Sequence, residues 1–167
     1  SCPAIVRLIQ RRFPSLLDQV VRIESPMEVA ARIVKQEIYP DKENIGVFFI
    51  SPCPAKITAV RNPIGSKTSA VDGVIAINEI FLALKTAATT LTEVELLGKA
   101  SARGVNWARS EGESHSTDWP ETVAVDGIDN VIQFFEELEN GKTTHYDLVE
   151  VMACPGGCVG GALTVEN

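Results

Sequence analysis

Two cysteines near the end of the chain lie four positions apart in a glycine-rich segment, YDLVEVMACPGGCVGGAL at 146–163. With two further cysteines earlier in the chain, the candidate thiols are Cys2, Cys53, Cys154 and Cys158. A disulfide does not require the clearance that the surrounding glycines provide, and neither does a cysteine buried in a core. We therefore interpret these residues first as free thiols or metal ligands.

Three kinds of site compete for these thiols. A zinc site with four thiolates is open, although structural zinc sites usually carry two C-x₂-C pairs, which this sequence does not contain. Buried and inert cysteines are the plainest alternative, but they explain one cysteine better than four. An iron–sulfur cubane fits best, because small residues such as Ala153, Gly156 and Gly157 would let backbone amides approach its sulfides.

Composition narrows the class of protein. The chain has 167 residues, of which 45% are hydrophobic and 22% charged, which is typical of a single soluble globular domain. A net charge of −7 and a pI near 4.9 argue against binding to nucleic acid or to an anionic membrane. The longest apolar run, at 45–50, is too short to span a bilayer. No secretory signal opens the chain, so we expect a reducing, cytoplasmic setting without disulfides.

Capping residues and apolar periodicity predict four helices. The first begins at Pro3, the second is capped by Ser25 and the third by Asn78. The fourth spans 127–140, with Gly141 as its C-terminal cap. The inward-facing positions of the first and fourth helices are Ile5, Leu8, Ile9, Phe13, Ile128, Val131, Ile132, Phe135 and Leu138.

Four short apolar runs predict strands at 45–50, 72–77, 121–125 and 146–152. Each run is almost continuously apolar, which is typical of strands covered on both faces. Strands that alternate with helices predict an α/β fold with a mostly parallel four-stranded sheet flanked by helices. Residues 86–118 show no firm pattern, and no element is predicted there.

The predicted fold brings separated cysteines to one place. Ligand sites of parallel sheets lie beyond the carboxyl ends of the strands. Cys53 follows the first predicted strand and Cys154 follows the fourth. Cys2 precedes a helix N-terminus, where the helix dipole favours a thiolate. The four cysteines are therefore expected to converge on one point.

These segments resemble the iron-only (FeFe) hydrogenases. SPCPAK at 51–56 and EVMACPGGCVGG at 150–161 are similar to the second and third signature segments of that family, and the opening SCP is similar to the first. The intervening VDGVIAINEI at 71–80 and VAVDGIDNVIQFFEELENG at 123–141 match the family in order. The resemblance implies that 1–167 is a single domain, one lobe of the H-cluster domain, and part of a larger chain.

The resemblance also implies a role for each ligand. Cys2, Cys53, Cys154 and Cys158 would hold the 4Fe–4S cubane of the H-cluster, and Cys158 would bridge to its diiron subsite. Lys56 corresponds to the lysine that donates to a cyanide ligand of that subsite, which makes it the one predicted catalytic residue. A buried ammonium needs such an anionic partner, whereas a solvated surface lysine is the alternative.

Some positions depart from the family pattern. Ser1 stands where hydrogen-evolving members carry a second cysteine that passes protons to the distal iron. Ser51 replaces a methionine, Val21 a serine of the proton path and Ala59 a glutamate. A serine hydroxyl has too high a pKa to relay protons near neutrality, so fast turnover is not expected. Glu150 either supports the cluster or is a surface carboxylate.

The sequence therefore predicts a hydrogenase-like iron–sulfur domain that reacts with or senses molecular hydrogen. One alternative is a non-catalytic iron–sulfur protein related to the assembly factors, which hold cubanes without a diiron unit. Another is a domain whose cysteines are vestigial. The expected partners are upstream ferredoxin-like iron–sulfur domains or a ferredoxin, and a fused sensor or signalling domain.

Overall fold

The computed structural model describes residues 2–41, 43–92, 100–142 and 145–165. In this part of the chain the helices are α1 (Pro3–Arg12), α2 (Pro26–Ile33), α3 (Pro54–Arg61), α4 (Ile77–Thr90), α5 (Ala102–Asn106) and α6 (Ile128–Glu139). The strands are β1 (Phe48–Ser51), β2 (Gly73–Ala76), β3 (Thr122–Asp126) and β4 (Leu148–Met152). Among these residues, no helix is long and apolar enough to cross a membrane.

The strands form two parallel pairs. β1 pairs with β2, with Phe48 opposite Gly73, and β3 pairs with β4, with Thr122 opposite Leu148. The α/β class with parallel strands is confirmed, but the described strands form two two-stranded sheets and not the single four-stranded sheet that was predicted. Each pair is closed by its own crossover helix, α3 or α6. The same alternation of strands and helices arises whether or not the pairs share a sheet.

We call β1, α3 and β2, together with α2, the first unit. We call β3, α6 and β4, together with α1, the second unit. The core of the second unit contains the rings of Phe13 and Phe135, which pack edge to face with their centroids 5.3 Å apart. The predicted inward face of α6 is confirmed at Val131 but not at Ile128, which is 41% exposed because it is the first residue of the helix. The buried residues of this core are Ile5, Ile9, Phe13, Leu16, Val131 and Phe135.

The first unit has a smaller core. Its predicted cap is confirmed, because the Ser25 hydroxyl accepts a hydrogen bond from the Glu28 N–H at the start of α2. The Glu28 carboxylate in turn accepts hydrogen bonds from the Ser69 hydroxyl and from the Ala70 N–H, the latter at 2.7 Å. The buried residues of this core are Met27, Ala31 and Val71.

Two predictions about element positions need correction. Asn78 lies inside α4 and does not cap it, because β2 ends at Ala76 and the helix begins at the next residue. The region 86–118 was predicted to lack firm elements, yet it contains the end of α4, all of α5 and a short 3₁₀ helix at Ser114–Ser116. Residues 93–99 of that region lie outside the described part of the chain.

Candidate functional site

Cys53 lies where β1 leads into α3. It is the N-cap residue of α3, with Pro54 at the first helical position. Its backbone is extended (φ −118°, ψ 112°), because a following proline disfavours the helical region. The side chain is buried and does not cap the helix, while its backbone N–H donates to the Ser51 hydroxyl oxygen at 3.2 Å. The sulfur is therefore held at the helix N-terminus and stays available as a ligand.

Cys2 is positioned in the same way at the start of α1. It is the N-cap residue, with Pro3 after it, and its side chain makes no capping hydrogen bond. Its backbone carbonyl accepts the Val6 N–H at 3.1 Å, and its side chain packs against the core of the second unit. Two helices thus present a thiol at their N-terminal ends, where the helix dipole stabilises a thiolate.

Cys154 and Cys158 lie at the two ends of a tight turn after β4. The Gly157 N–H donates to the Cys154 carbonyl at 3.1 Å, and a 3₁₀ turn begins at Cys158. Gly156 and Gly157 have φ of +71° and +90°, a region that glycine adopts without strain. The turn reverses the chain, so both cysteines belong to one loop, which we call the cysteine loop (residues 154–161).

Close backbone packing explains two of the glycines in this loop. A Cβ on Gly160 would lie 2.1 Å from the carbonyl oxygen of Pro155, and one on Gly161 would lie 2.5 Å from that of Pro52. The second contact joins the cysteine loop to the residue before Cys53. At these positions, the lack of side chains permits two stretches of protein backbone to meet. The packing fixes the loop against the first unit.

Lys56 and the four thiols share one neighbourhood. The Nζ atom of Lys56, which lies in the first turn of α3, is 3.5 Å from the Sγ atom of Cys158. Burial is the main cause that raises the pKa of the Cys154 thiol. The charges of Cys53, Cys2 and Cys158 raise this pKa further, and that of Lys56 lowers it. Lys56 therefore lies beside Cys158, and Cys154 lies within electrostatic range of Lys56 and of the other three thiols.

The donors in this neighbourhood are thiols that are free of disulfides. Among the described residues, no three side chains of His, Cys, Asp or Glu are grouped so that they could hold a metal ion. Thiolates are the ligands that iron–sulfur clusters use, and a cubane is much larger than one ion. The donor set fits such a cluster in its chemistry, with two of the sulfurs at helix N-termini.

A segment that the sequence analysis left without structure packs against the cysteine loop. The Ser110 N–H donates to the Gly156 carbonyl at 3.1 Å, and the Val159 N–H donates to the Ala108 carbonyl at 3.3 Å. We call residues 108–114 the bracing segment. No local pattern marked it, because its role depends on backbone groups that any sequence carries.

The remaining predicted positions are placed as follows. Glu150 is only 4% exposed, so the surface-carboxylate alternative is wrong. Ser51 is buried at the end of β1, and Ala59 is half-buried in α3. Val21 is 58% exposed, and Ser1 lies outside the described residues.

Sequence comparison relates the chain to iron-only hydrogenases. The family model described as "Iron only hydrogenase large subunit, C-terminal domain" matches residues 1–118 and 100–162. Iron hydrogenase 1 of Clostridium pasteurianum is 23% identical over 208 residues, which cover 96% of this chain and 36% of that protein. A probable cytosolic Fe-S cluster assembly factor of Drosophila erecta is 40% identical over 40 residues, which cover 24% of this chain and 8% of that protein.

Structural comparison points to the same fold. A variant of FeFe hydrogenase HydA1 from Chlamydomonas reinhardtii is similar with a TM-score of 0.72 at 19% identity, covering 99% of this chain and 61% of that one. An apo form of a second HydA1 variant gives a TM-score of 0.73 at 17% identity with the same coverage. At these identities the likeness shows the fold alone. The chain spans about three fifths of the solved hydrogenase chains and about a third of the Clostridium protein.

Proposed function

Because this chain belongs to the family of iron-only hydrogenase large subunits, C-terminal domain, we propose that it holds the 4Fe–4S part of an H-cluster. The proposed ligands are Cys2, Cys53, Cys154 and Cys158, and Lys56 is proposed to donate to the diiron subsite. The observation that carries the proposal is that the Lys56 Nζ atom lies 3.5 Å from the Cys158 sulfur, while Cys2 and Cys53 stand at helix N-termini.

The residues of the chain prepare this site electrostatically. A bound cubane supplies reversible storage of one electron. The helices α1 and α3 direct the positive ends of their dipoles toward Cys2 and Cys53. The ammonium of Lys56 adds a full positive charge 3.5 Å from the sulfur of Cys158. These charges offset the mutual repulsion of the thiolates, which is one cause of the raised pKa of Cys154.

The position of Lys56 supports the diiron part of the proposal. The side chain is half-buried, and its hydrogen-bond acceptor in the described structure is the Cys158 sulfur. A partly desolvated ammonium is stabilised by an anionic group. In the proposal, anionic ligands of a bound diiron subsite would supply that group, and Lys56 would hold them by hydrogen bonding.

We propose further that the intact protein turns over hydrogen slowly and serves in sensing, with electrons exchanged with ferredoxin-like domains or a ferredoxin. The support is that Ser1, Val21 and Ala59 depart from the pattern that the family resemblance implies, while the proposed ligands are present. In the parent protein matured with a diiron cofactor, Ser1→Cys should raise the turnover rate by about 10²-fold or more. Equal rates for the two proteins would contradict the relay argument.

A second candidate function is that of an iron–sulfur protein of the assembly-factor type, without a diiron unit. It is favoured by the short matches to two probable cytosolic Fe-S cluster assembly factors, 40% and 42% identical over 40 residues each. The maturation experiment separates the two functions. If neither the parent protein nor its Ser1→Cys variant accepts the diiron cofactor, the second candidate is supported.

Anaerobic reconstitution tests the cubane itself. We expect a brown protein with about four iron atoms per chain. The double variant Cys154→Ser, Cys158→Ser should lose the colour and most of the iron. Ser66→Ala, at an exposed hydroxyl of the first unit, is the control and should load normally. Iron uptake by the double variant equal to that of the control would exclude the proposed site.

A further inference from the structure

Glu150 lies in the middle of β4, two residues before the strand ends at Met152. Its side chain is 4% exposed. One carboxylate oxygen, Oε2, accepts the backbone N–H of Ser114 at 2.7 Å. The other, Oε1, is buried without a hydrogen-bond partner in the described part of the chain. A buried acceptor without a donor is unfavourable, and an apolar residue on this strand would avoid that cost. The carboxylate therefore needs an explanation other than core packing.

The Ser114 N–H has no hydrogen-bond acceptor within its own short helix. Ser114 begins the 3₁₀ helix Ser114–Ser116, and the first N–H groups of a helix have no acceptor within it. Ser114 is also buried, with 5% exposure, so water does not replace the missing partner. Glu150 supplies the acceptor and thereby attaches the end of the bracing segment to β4.

The other end of the bracing segment, residues 108–110, contacts the cysteine loop. The hydrogen bonds of Ser110 and Ala108 described above flank an antiparallel β-bridge between Arg109 and Gly157. The fit is tight, because a Cβ on Gly157 would lie 2.6 Å from the Ser110 nitrogen. A displacement of this segment would thus be transmitted to the turn between Cys154 and Cys158.

We propose that Glu150 is a positioning residue for Cys154 and Cys158, acting through the bracing segment. β4 leads directly to Cys154, and Glu150 on the same strand fixes the segment that packs against the turn. The inference rests on the proposed function in one respect, namely that these two cysteines hold a cluster. It assigns Glu150 no contact with the cluster or with substrate.

The test compares Glu150→Gln with Glu150→Leu in the full chain. The Gln side chain keeps an oxygen that accepts the Ser114 N–H, whereas Leu has similar size but no acceptor. After reconstitution with iron and sulfide, iron release to a chelator should be about 10-fold faster in Glu150→Leu, the lower end of the usual effect of removing a ligand's supporting partner. Glu150→Gln should stay within about 2-fold of the unaltered protein, and its reduced-cluster EPR signal should keep the same g-values and widths.

Glu28→Leu is the matched control, because Glu28 also accepts a backbone N–H, that of Ala70, but in the first unit and away from the cysteine loop. It should lower stability without changing iron release. If Glu150→Leu releases iron no faster than Glu28→Leu, the inference is wrong. If Glu150→Gln releases iron as fast as Glu150→Leu, charge and not hydrogen-bond acceptance is responsible, and the positioning role is also overturned.

A second measurement needs no cluster and separates this inference from the proposed function. In the chain without iron, amide hydrogen exchange at Val159 and Ser110 should be faster by about 10-fold or more in Glu150→Leu and unchanged in Glu150→Gln. Unchanged exchange in both variants overturns the inference. The unaltered protein could fail to take up iron while the two variants show the expected exchange pattern. That result would refute the proposed function, and it would still support the role of Glu150 in positioning the loop.

Discussion

The two units of the molecule differ in the size of their cores and in what they contribute to the site. The core of the second unit is built on paired aromatic rings and includes Val131, which is fully buried. The core of the first unit is limited to a few side chains around Met27. The second unit carries three of the proposed ligands, Cys2, Cys154 and Cys158, whereas the first carries Cys53 together with Lys56.

The two units also differ in how far the residues of their strands are exposed. In the first unit, Phe48 and Ile50 of β1 are 61% and 47% exposed, whereas every residue of β3 is at least partly buried. A two-stranded sheet is marginally stable without further packing. The first unit is held to the rest by contacts such as the hydrogen bond from the Leu163 N–H to the Pro52 carbonyl at 2.9 Å. The comparison indicates that the second unit is the better packed of the two, although both contribute residues to the site.

The largest expected effect tests this difference in core size. Phe135→Ala removes one ring of the aromatic pair and should lower the free energy of unfolding by about 3–5 kcal/mol. The same change at the exposed Phe48 of the first unit should lower it by less than about 1 kcal/mol. Urea unfolding followed by circular dichroism measures both. Similar losses for the two variants would contradict the assignment of the second unit as the better-packed one.

The next effect concerns glycines with positive φ in the two units. In Gly157→Ala the added Cβ would lie within 3 Å of backbone atoms of the bracing segment at φ +90°, so stability should fall by about 2 kcal/mol or more and iron loading should drop. Gly65→Ala, at φ +81° in the first unit with nothing within 4 Å, should cost only about 1 kcal/mol and load normally. Equal iron loading by both variants would show that the turn tolerates displacement.

A smaller effect tests the charge that the first unit supplies to the second. A cation near a cluster stabilises its more negative, reduced state, so Lys56→Met should lower the reduction potential. For an interaction of about 1 kcal/mol, the shift is on the order of 50 mV. Protein-film voltammetry of the reconstituted chain measures it. Lys67→Met, at an exposed position of the first unit, is the control and should leave the potential unchanged. A potential unaffected by Lys56→Met would argue against its proposed role.

The smallest effect is a pH dependence in the first unit. A hydrogen bond from Lys35, followed by one from the Val47 N–H, lowers the pKa of Asp72 below its usual value. Asp72 therefore stabilises the fold above its unfolded pKa, and this contribution disappears as the pH falls through the folded pKa. Because the pair is partly exposed, Asp72→Asn should cost less than about 1 kcal/mol at pH 7 and nothing near pH 2.

Urea unfolding of this variant at both pH values checks the prediction. Asp18→Asn is the control, because Asp18 is an exposed carboxylate elsewhere in the chain. A loss of stability in Asp72→Asn that is the same at pH 7 and at about pH 2 would contradict an ionic origin.

Local sequence signals identified some of the elements that present the thiols. The helix predicted from Pro3 is present and Cys2 is its N-cap, whereas α3, which begins after Cys53, was not predicted. Gly141 was predicted to end α6, and it follows the C-cap residue with φ of +70°. Such signals can be read from the sequence because they reflect steric limits on one or two residues. Asn78 failed as a cap because the connection between β2 and α4 has no loop in which a cap could lie.

Contacts between distant residues were decided only by the tertiary structure. The sequence alone determined an α/β chain whose strands lead into cysteines at helix starts and turns. It did not determine that the strands pair as two separate sheets or that Glu150 is buried against Ser114. The physical reason is that these features depend on how the units pack together. The alternation of strands and helices is the same whether the strands form one sheet or two. A carboxylate on a strand likewise has the same local sequence pattern whether it is buried or exposed.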